Sequence, residues 1–494
     1  MPDVPMLTAK DKPSIHKVGA LVALVTVAVV SLVLFKTKAI GLMGFDSYPL
    51  ILSARIESWS DFTGTFTEEL MDGRYAGHYF RPLTNLSFAL DYALWGLNPF
   101  GYQLTGALLF GATGLAVAWL SSRLLGGWRS AGVLATTLFF FLHDASFEVI
   151  PVPARRPEML CGLFACLSLA SQLGEKSMAR RFPVVPALWM LCAAASKETG
   201  FVLPVISVLA VFLHSHASSV RERGIQALRA GAVHALLIGV LFAMRWVVLD
   251  GMGGPIPLPE GYVGPSSLEL SGLLIQRLFS PQNMASTVPF LSSLAVVSVL
   301  SVLLCSRKAL IVPAAWIAVV GLVYGASRSI EQWYLFLPVI GLALFVGTGV
   351  DSVVTAFRKR ERRAPVLVAG ITALALIAFC FCQVRYSPLI HSYPEWTAAT
   401  AASDEFFEKL DTRVAKNLPG QPITAPPIPI SFPAAQTGPA IRGAAIIDDY
   451  SVQAWLELVH PGRKFRVLMK APLQSPLAAD ESAVRLVRPY EFTQ

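Results

Sequence analysis

GFDSYPL at 44–50 and HYFRPLTNLSFALDYALWGLNPFGYQL at 78–104 frame the stretch that decides how this chain is built. The first segment follows an apolar run of membrane length, VGALVALVTVAVVSLVLF at 18–35, and the second enters another. Between them lie Glu57, Asp61, Glu68, Glu69 and Asp72, so the pattern predicts a long acidic loop, 37–101, held against one membrane face. A carboxylate, Asp46, stands just beyond the first span, and Arg81 returns the chain toward the bilayer. Opposite charges at the two ends of such a loop suit chemistry on a lipid headgroup.

Composition fixes the broad class. Of 494 residues, 54% are hydrophobic and only 15% charged, and the mean hydropathy is +0.57. Runs such as VLVAGITALALIAFCF at 366–381 match the hydrocarbon thickness as helices. The expectation is an all-α polytopic membrane protein of about eleven transmembrane helices. They fall near 17–36, 102–122, 130–142, 158–173, 183–196, 200–213, 230–249, 286–304, 309–326, 333–350 and 364–384.

The net charge of +8, from 40 Lys+Arg against 32 Asp+Glu, sits in short basic clusters in every second connection. The distribution of basic residues marks topology and argues against nucleic acid as a partner. It places the N-terminus in the cytoplasm and the C-terminus across the membrane. The first span is too long for a cleaved signal peptide and has no small-residue cleavage site. Five of the six cysteines fall in expected spans and Cys305 directly follows one, where packing is their default role.

Beyond Arg385 the character changes. SDEFFEKLDTRVAKNL at 403–418 has the pattern of an amphipathic helix, and the Pro-rich QPITAPPIPISFPAAQTGPA at 421–440 that of a connector. GAAIIDDYSVQAWLELVHPGRKFRVLMKAP at 443–472 alternates as strand, helix, strand with a Pro461-Gly462 turn. Two domains are expected: a transmembrane catalytic domain over 1–384 and a small exported α/β domain over 385–494.

Ionisable side chains near a bilayer cost on the order of 2.5–3.5 kcal/mol by insertion scales, so each needs a partner or a purpose. Asp46, Arg81, Asp91, His143, Glu148, Arg155, Arg156, Glu158, Lys197, Glu198, Arg245, Arg328 and Glu331 come from separate loops yet share one membrane face. Such a set can hold an anionic, lipid-anchored substrate, with carboxylates as base or hydroxyl ligands and cations on phosphate. Structural alternatives stand beside these roles. Asp46 can be solvated loop, Lys197-Glu198 an interfacial pair, His143 a helix cap and Arg81-Pro82 a helix entry. The aromatic WYLFLP run at 333–338 fits an interfacial belt and core.

Five blocks carry a resemblance. FDS at 45–47, YFRPLT opening the second segment, HDASFEVIPVPARRPEML at 143–160, SKETGFVLP at 196–204 and QWYLFLPVIG at 332–341 resemble membrane glycosyltransferases of the GT-C fold. Among these, the chain is similar to bacterial dolichol-phosphate-mannose-protein mannosyltransferase-like proteins and to the transmembrane TPR-containing mannosyltransferases. The resemblance covers about 20–350; no TPR array follows. Ser47 stands where that family carries a second acid, so a role for a carboxylate pair rests on Asp46 alone. Gln103 replaces the usual His, and Gln332 and Trp333 stand where Glu and Arg are expected.

The resemblance implies an inverting enzyme that takes a sugar from a polyprenyl-phosphate carrier at the outer membrane face. The acceptor is a hydroxyl on a protein or envelope glycan. Membrane lipid surrounds the site, and no cofactor is expected; a divalent metal is left open, although no metal-ligand pattern is present. In this scheme Asp46 is the catalytic base. Arg328 and Arg81, with Lys197, Arg156 and Arg245, bind phosphate, while Glu148 and Glu158 hold hydroxyls or orient the arginines. His143, Glu198 and Glu331 complete the substrate-binding set. The alternatives are a transporter or lipid-sugar flippase, which calls for internal repeats and mid-bilayer charges, and a scaffold that has lost catalysis.

Overall fold

The structure, a computed structural model, describes residues 13–43, 46–73, 77–174, 182–255, 265–279, 307–325, 330–358, 364–417, 423–427, 447–469 and 481–487. Within hydrocarbon a backbone must satisfy its own polar groups, and the apolar runs do so as helices. The expected spans fall on helices Pro13–Thr37, Pro99–Leu124, Ala131–Leu142, Arg156–Gln172, Val184–Ser196, Pro204–His214, Val220–Val248, Arg307–Gly325, Phe336–Arg358 and Ala364–Arg385. The expected span 286–304 lies outside the described residues.

Among the described residues, four segments are long and apolar enough to cross a membrane alone: Lys17–Thr37, Pro99–Leu124, Val220–Val248 and Gln332–Thr355. Ala131–Leu142, Val184–Ser196 and Pro204–His214 are shorter apolar helices, and their ends are set by local chemistry. Pro204 opens one at its first turn, where a missing N–H costs nothing. Lys197 ends another by turning extended.

The helices pack around an aromatic core in which Phe110, Phe140, Phe141, Phe336 and Trp316 are sealed. Phe110 meets Phe141 edge to face at 5.1 Å, and Phe140 meets Phe336 at 5.5 Å. Small residues bring the helix backbones together. A Cβ on Gly347 would lie 1.8 Å from Thr136 Oγ1 and 2.6 Å from the Gly132 carbonyl, so only glycine permits this approach of Phe336–Arg358 to Ala131–Leu142. Exposed Leu24, Val27, Leu236, Val240, Leu322 and Leu374 supply the apolar outer surface that lipid would cover.

The acidic loop is ordered into short pieces. Helix Ser47–Ser53 follows Asp46, and helix Trp59–Gly64 begins with a capping box in which Ser58 and Asp61 satisfy each other's backbone. Strand β1, Gly77–His78, pairs antiparallel with β2, Gly254–Pro255, tying the loop to the segment after helix Val220–Val248. Helix Pro82–Trp95 then leads back to the bundle.

The tail forms helix Tyr393–Lys416, helix Asp449–Val459 and three parallel strands: β3 Ile423–Pro427, β4 Lys464–Met469 and β5 Glu481–Val487, in the order β3-β5-β4. Period-two alternation buries Phe465 and Val467 from β4 with Val484 from β5. They join Phe406, Phe407, Leu410, Val452 and Leu456 in a hydrophobic cluster of their own. The Pro-rich stretch expected as a connector contains β3. It is an edge strand whose pairing with β5 is irregular between Thr424 and Pro427, and edges and irregularities are where a sheet tolerates proline.

Candidate active site

The site is assembled where the acidic loop, the breaks between short helices and the tail meet. Pro82 opens helix Pro82–Trp95, and Arg81 precedes it without capping it. The Arg81 side chain instead reaches Glu198. Arg81 Nε donates to both Glu198 oxygens at 3.0 and 3.1 Å, and Nη2 donates to Oε2 at 2.7 Å. Glu198 sits at the break after helix Val184–Ser196. That break needs Gly200, whose missing Cβ would lie 2.4 Å from the Ala194 backbone nitrogen. Arg245 adds a second cation to Glu198 at 3.4 Å and donates to the Met252 carbonyl at 3.0 Å. Burial opposes ionisation of Glu198, but the Arg81 charge and its hydrogen bonds outweigh it, with Arg245 assisting, and the carboxyl lies below its ordinary range.

Lys197, the neighbour of Glu198, turns the other way. Its ammonium pairs with Glu158, which also accepts from the Tyr324 hydroxyl at 3.1 Å. Tyr324 and Tyr334 stack with ring centroids 4.9 Å apart and planes parallel within 1°. Lys197 stands over both rings, at 5.3 and 4.9 Å. The expected interfacial aromatic run thus contributes Tyr334 as a wall of the site.

Asp46 lies at the N-cap of helix Ser47–Ser53 without bonding that helix through its side chain. Its carboxylate accepts from the Tyr450 hydroxyl at 3.2 Å, a contact spanning 404 positions. Burial pushes the Asp46 carboxyl above the usual carboxylate range, against the opposing pull of the Tyr450 hydrogen bond and the Arg81 charge. Asp46 is therefore no open-solvent loop carboxylate. It shares its surroundings with Arg81.

Other expected site residues are placed differently. Arg156 is fully buried; it pairs with Asp91, donates to the Ser87 carbonyl at 3.2 Å and lies 4.6 Å over the Phe88 ring. Glu148 is also sealed and pairs with Arg155, which lies 4.1 Å over Trp333. Among the described residues, Glu148 Oε2 is buried with no hydrogen-bond partner. Glu331 precedes the short 3-10 turn Gln332–Leu335, and its charge acts on Arg155 and Arg277. His143 is fully buried and caps helix Asp144–Val149, its Nδ1 accepting from the Ala145 amide at 3.3 Å while Nε2 meets the Leu278 carbonyl at 3.0 Å. Both ring nitrogens are thus engaged by backbone. Arg328 lies outside the described residues.

Sequence patterns did not single out Tyr450, Tyr324 or Arg277, whose guanidinium donates to the Ile330 carbonyl. Tyr450 sits in a segment with an ordinary helix-strand signal. Among the described residues no group of three His, Cys, Asp or Glu side chains is arranged to hold a metal ion.

No family model matches the chain. Protein O-mannosyl-transferase TMTC4 of Mus musculus is 29% identical over 190 residues, 34% of this chain and 23% of that protein. Protein O-mannosyl-transferase tmtc2 of Xenopus laevis is 34% identical over 164 residues, 31% of this chain and 19% of that protein. The match therefore spans about a fifth of these relatives' length. Among solved structures, ArnT from Cupriavidus metallidurans bound to undecaprenyl phosphate aligns with a TM-score of 0.51 and 15% identity, over 91% of this chain and 86% of that one. Its apo state aligns with a TM-score of 0.53 and 16% identity over the same shares. The chain is thus an integral membrane protein with the GT-C fold of membrane glycosyltransferases, and over about a third of its length it is similar in sequence to protein O-mannosyltransferases.

Proposed function

We propose that this protein is an inverting glycosyltransferase that moves a sugar from a polyprenyl-phosphate carrier to an acceptor hydroxyl on a protein or envelope glycan. The single observation that carries the proposal is that Arg81, whose charge acts on Asp46, is forked onto Glu198, which Arg245 also reaches, while the neighbouring Lys197 pairs with Glu158. A half-buried carboxylate in the field of a fixed cation suits this displacement. The acceptor oxygen forms a bond to the anomeric carbon as the bond from that carbon to the phosphate oxygen breaks. The hydroxyl proton passes to Asp46, and the polyprenyl phosphate leaves with the electron pair.

Charge therefore accumulates on phosphate, and preorganised cations stabilise it more in the transition state than in the ground state. Glu198 takes Nε and Nη2 of Arg81, which fixes the guanidinium plane and leaves Nη1 outside that fork. Lys197, framed by Tyr324 and Tyr334, is a second phosphate ligand, and Arg245 a third. Arg328, three residues before Glu331 in the sequence, belongs to the same proposed set. Glu148, whose Oε2 has no hydrogen-bond partner among the described residues, is assigned to an acceptor or sugar hydroxyl. The roles proposed for Arg156 and His143 are supporting ones, a buried strut and a helix cap.

The proposed topology has about eleven spans, a cytoplasmic N-terminus and a periplasmic tail from 385 onward, in a bacterial inner membrane. It sets the site on the outer face, where lipid-linked sugars are consumed. A transporter would gather its ionisable residues at mid-bilayer; here they stand at helix breaks and loops. The test is incubation of purified protein with radiolabelled polyprenyl-phosphate sugars and membrane extract. Label moving into acceptor supports transfer. Label that crosses a vesicle bilayer while still on its lipid would instead support a flippase.

A further inference from the structure

The tail grips the loop that carries Asp46 at one point after another. Lys36, at the end of the first helix, lies 4.4 Å over the Tyr393 ring. The Gly41 amide donates to Thr400 Oγ1 at 3.1 Å, and that hydroxyl approaches Met43 Sδ at 3.2 Å. A Cβ on Gly41 would lie 3.1 Å from the Thr400 methyl, so the chain runs close against helix Tyr393–Lys416. Just past Asp46, Tyr48 meets Phe407 edge to face at 5.3 Å and packs beside Trp455. Asp46 itself receives the Tyr450 hydroxyl at 3.2 Å. These contacts come from both tail helices and fall on both sides of one aspartate.

An N-cap aspartate ordinarily spends its side chain on the helix amides that follow; Asp46 makes no such bond. The hydrogen bond described for its carboxylate comes from a residue more than four hundred positions away. We infer that the C-terminal segment is part of the catalytic apparatus, and that Tyr450 is a positioning residue which aims the Asp46 carboxylate toward the acceptor hydroxyl. The inference rests on the proposed role of Asp46 as base and adds to it a duty for the tail other than acceptor recognition. A hydroxyl donor also favours the ionised carboxylate over the neutral acid. Arg81 is the other group that favours it, while Asp404, on helix Tyr393–Lys416, acts on Tyr48. Asp448 and Asp449 precede Tyr450 at the start of its helix.

The experiment uses full-length protein in detergent or nanodiscs, with synthetic polyprenyl-phosphate mannose as donor and membrane extract as acceptor. Tyr450→Phe keeps the ring and removes only the donor. It should lower kcat about tenfold at the acidic end of the range, where the ionised carboxylate loses the hydroxyl that favours it. The donor KM should be unchanged, and the acidic limb of the kcat profile should move to higher pH. Placing 3-fluorotyrosine at 450, a stronger hydroxyl donor, should move that limb to lower pH. Asp46→Asn in the same assay keeps the two ideas apart. If it is inactive while both Tyr450 replacements keep the original limb, the inference about the tail is overturned and the base assignment stands. Full activity of Asp46→Asn overturns the base assignment itself.

Discussion

Arg81 and Glu198, 117 positions apart, are locked as a two-pronged pair in which one guanidinium edge faces one carboxylate at 2.7–3.1 Å. The pair joins the end of the acidic loop to the break between two short apolar helices. It also holds the guanidinium whose charge acts on Asp46. Geometry of this kind is specific to arginine, whose planar fork lysine cannot reproduce.

Arg81→Lys should therefore behave almost as badly as Arg81→Ala. Both should raise the donor KM at least roughly tenfold, the loss expected for a charge-assisted, bidentate contact. Steady-state transfer with varied polyprenyl-phosphate sugar reads this directly. A lysine variant with normal donor KM would reduce Arg81 to a bare point charge.

The Asp46 carboxyl is held above its usual range by burial, so its ionised form is disfavoured by the fold. A raised folded pKa means stability that is fully present below the unfolded carboxylate pKa and is lost as pH rises through the folded value. Asp46→Asn removes that loss. It should match or exceed the parent in thermal stability at neutral pH, with the gap narrowing under acid. A neutral-pH Tm clearly below the parent's would show Asp46 to be a structural ion instead.

Arg156 and Asp91 are sealed together, at 0% and 2% side-chain exposure. Removing one partner strands a buried charge. Arg156→Ala should cost about 3–5 kcal/mol, while replacing both partners by apolar residues of similar volume should cost far less. Thermal unfolding of the single and double variants measures the difference. Any surviving Arg156→Ala protein should retain the parental donor KM, because this guanidinium is engaged with Asp91 and Ser87.

His143 supplies a cap and a bond to the Leu278 carbonyl. His143→Ala should destabilise by about 1–2 kcal/mol and leave donor KM unchanged. A large KM effect with normal stability would return His143 to the substrate.

Much of this was legible in the chain itself. Apolar runs of membrane length became helices because the bilayer leaves the backbone no other option. Lys197-Glu198 stood out because two charges interrupt an apolar stretch, and both prove to anchor ion pairs. The partners were not legible. Nothing local in LDYALW marks Asp91 as the counter-ion of Arg156, since that pairing depends on how two helices cross. Lys197 and Glu198 are adjacent in sequence yet face different partners, because the backbone turns extended between them. β3 was hidden inside a Pro-rich run, since its pairing with β5 is parallel and non-local. Tyr450 was hidden for the same reason: its hydrogen bond to Asp46 depends on the tail folding back over the loop.

The most direct test of the central claim is transfer of label from a polyprenyl-phosphate sugar by purified parent and Asp46→Asn proteins, each shown to be folded. The parent should load the acceptor, and the variant should fall to background while still binding the donor. Equal incorporation by the two proteins would contradict the account, because the half-buried Asp46 carboxylate would then have no part in moving the sugar.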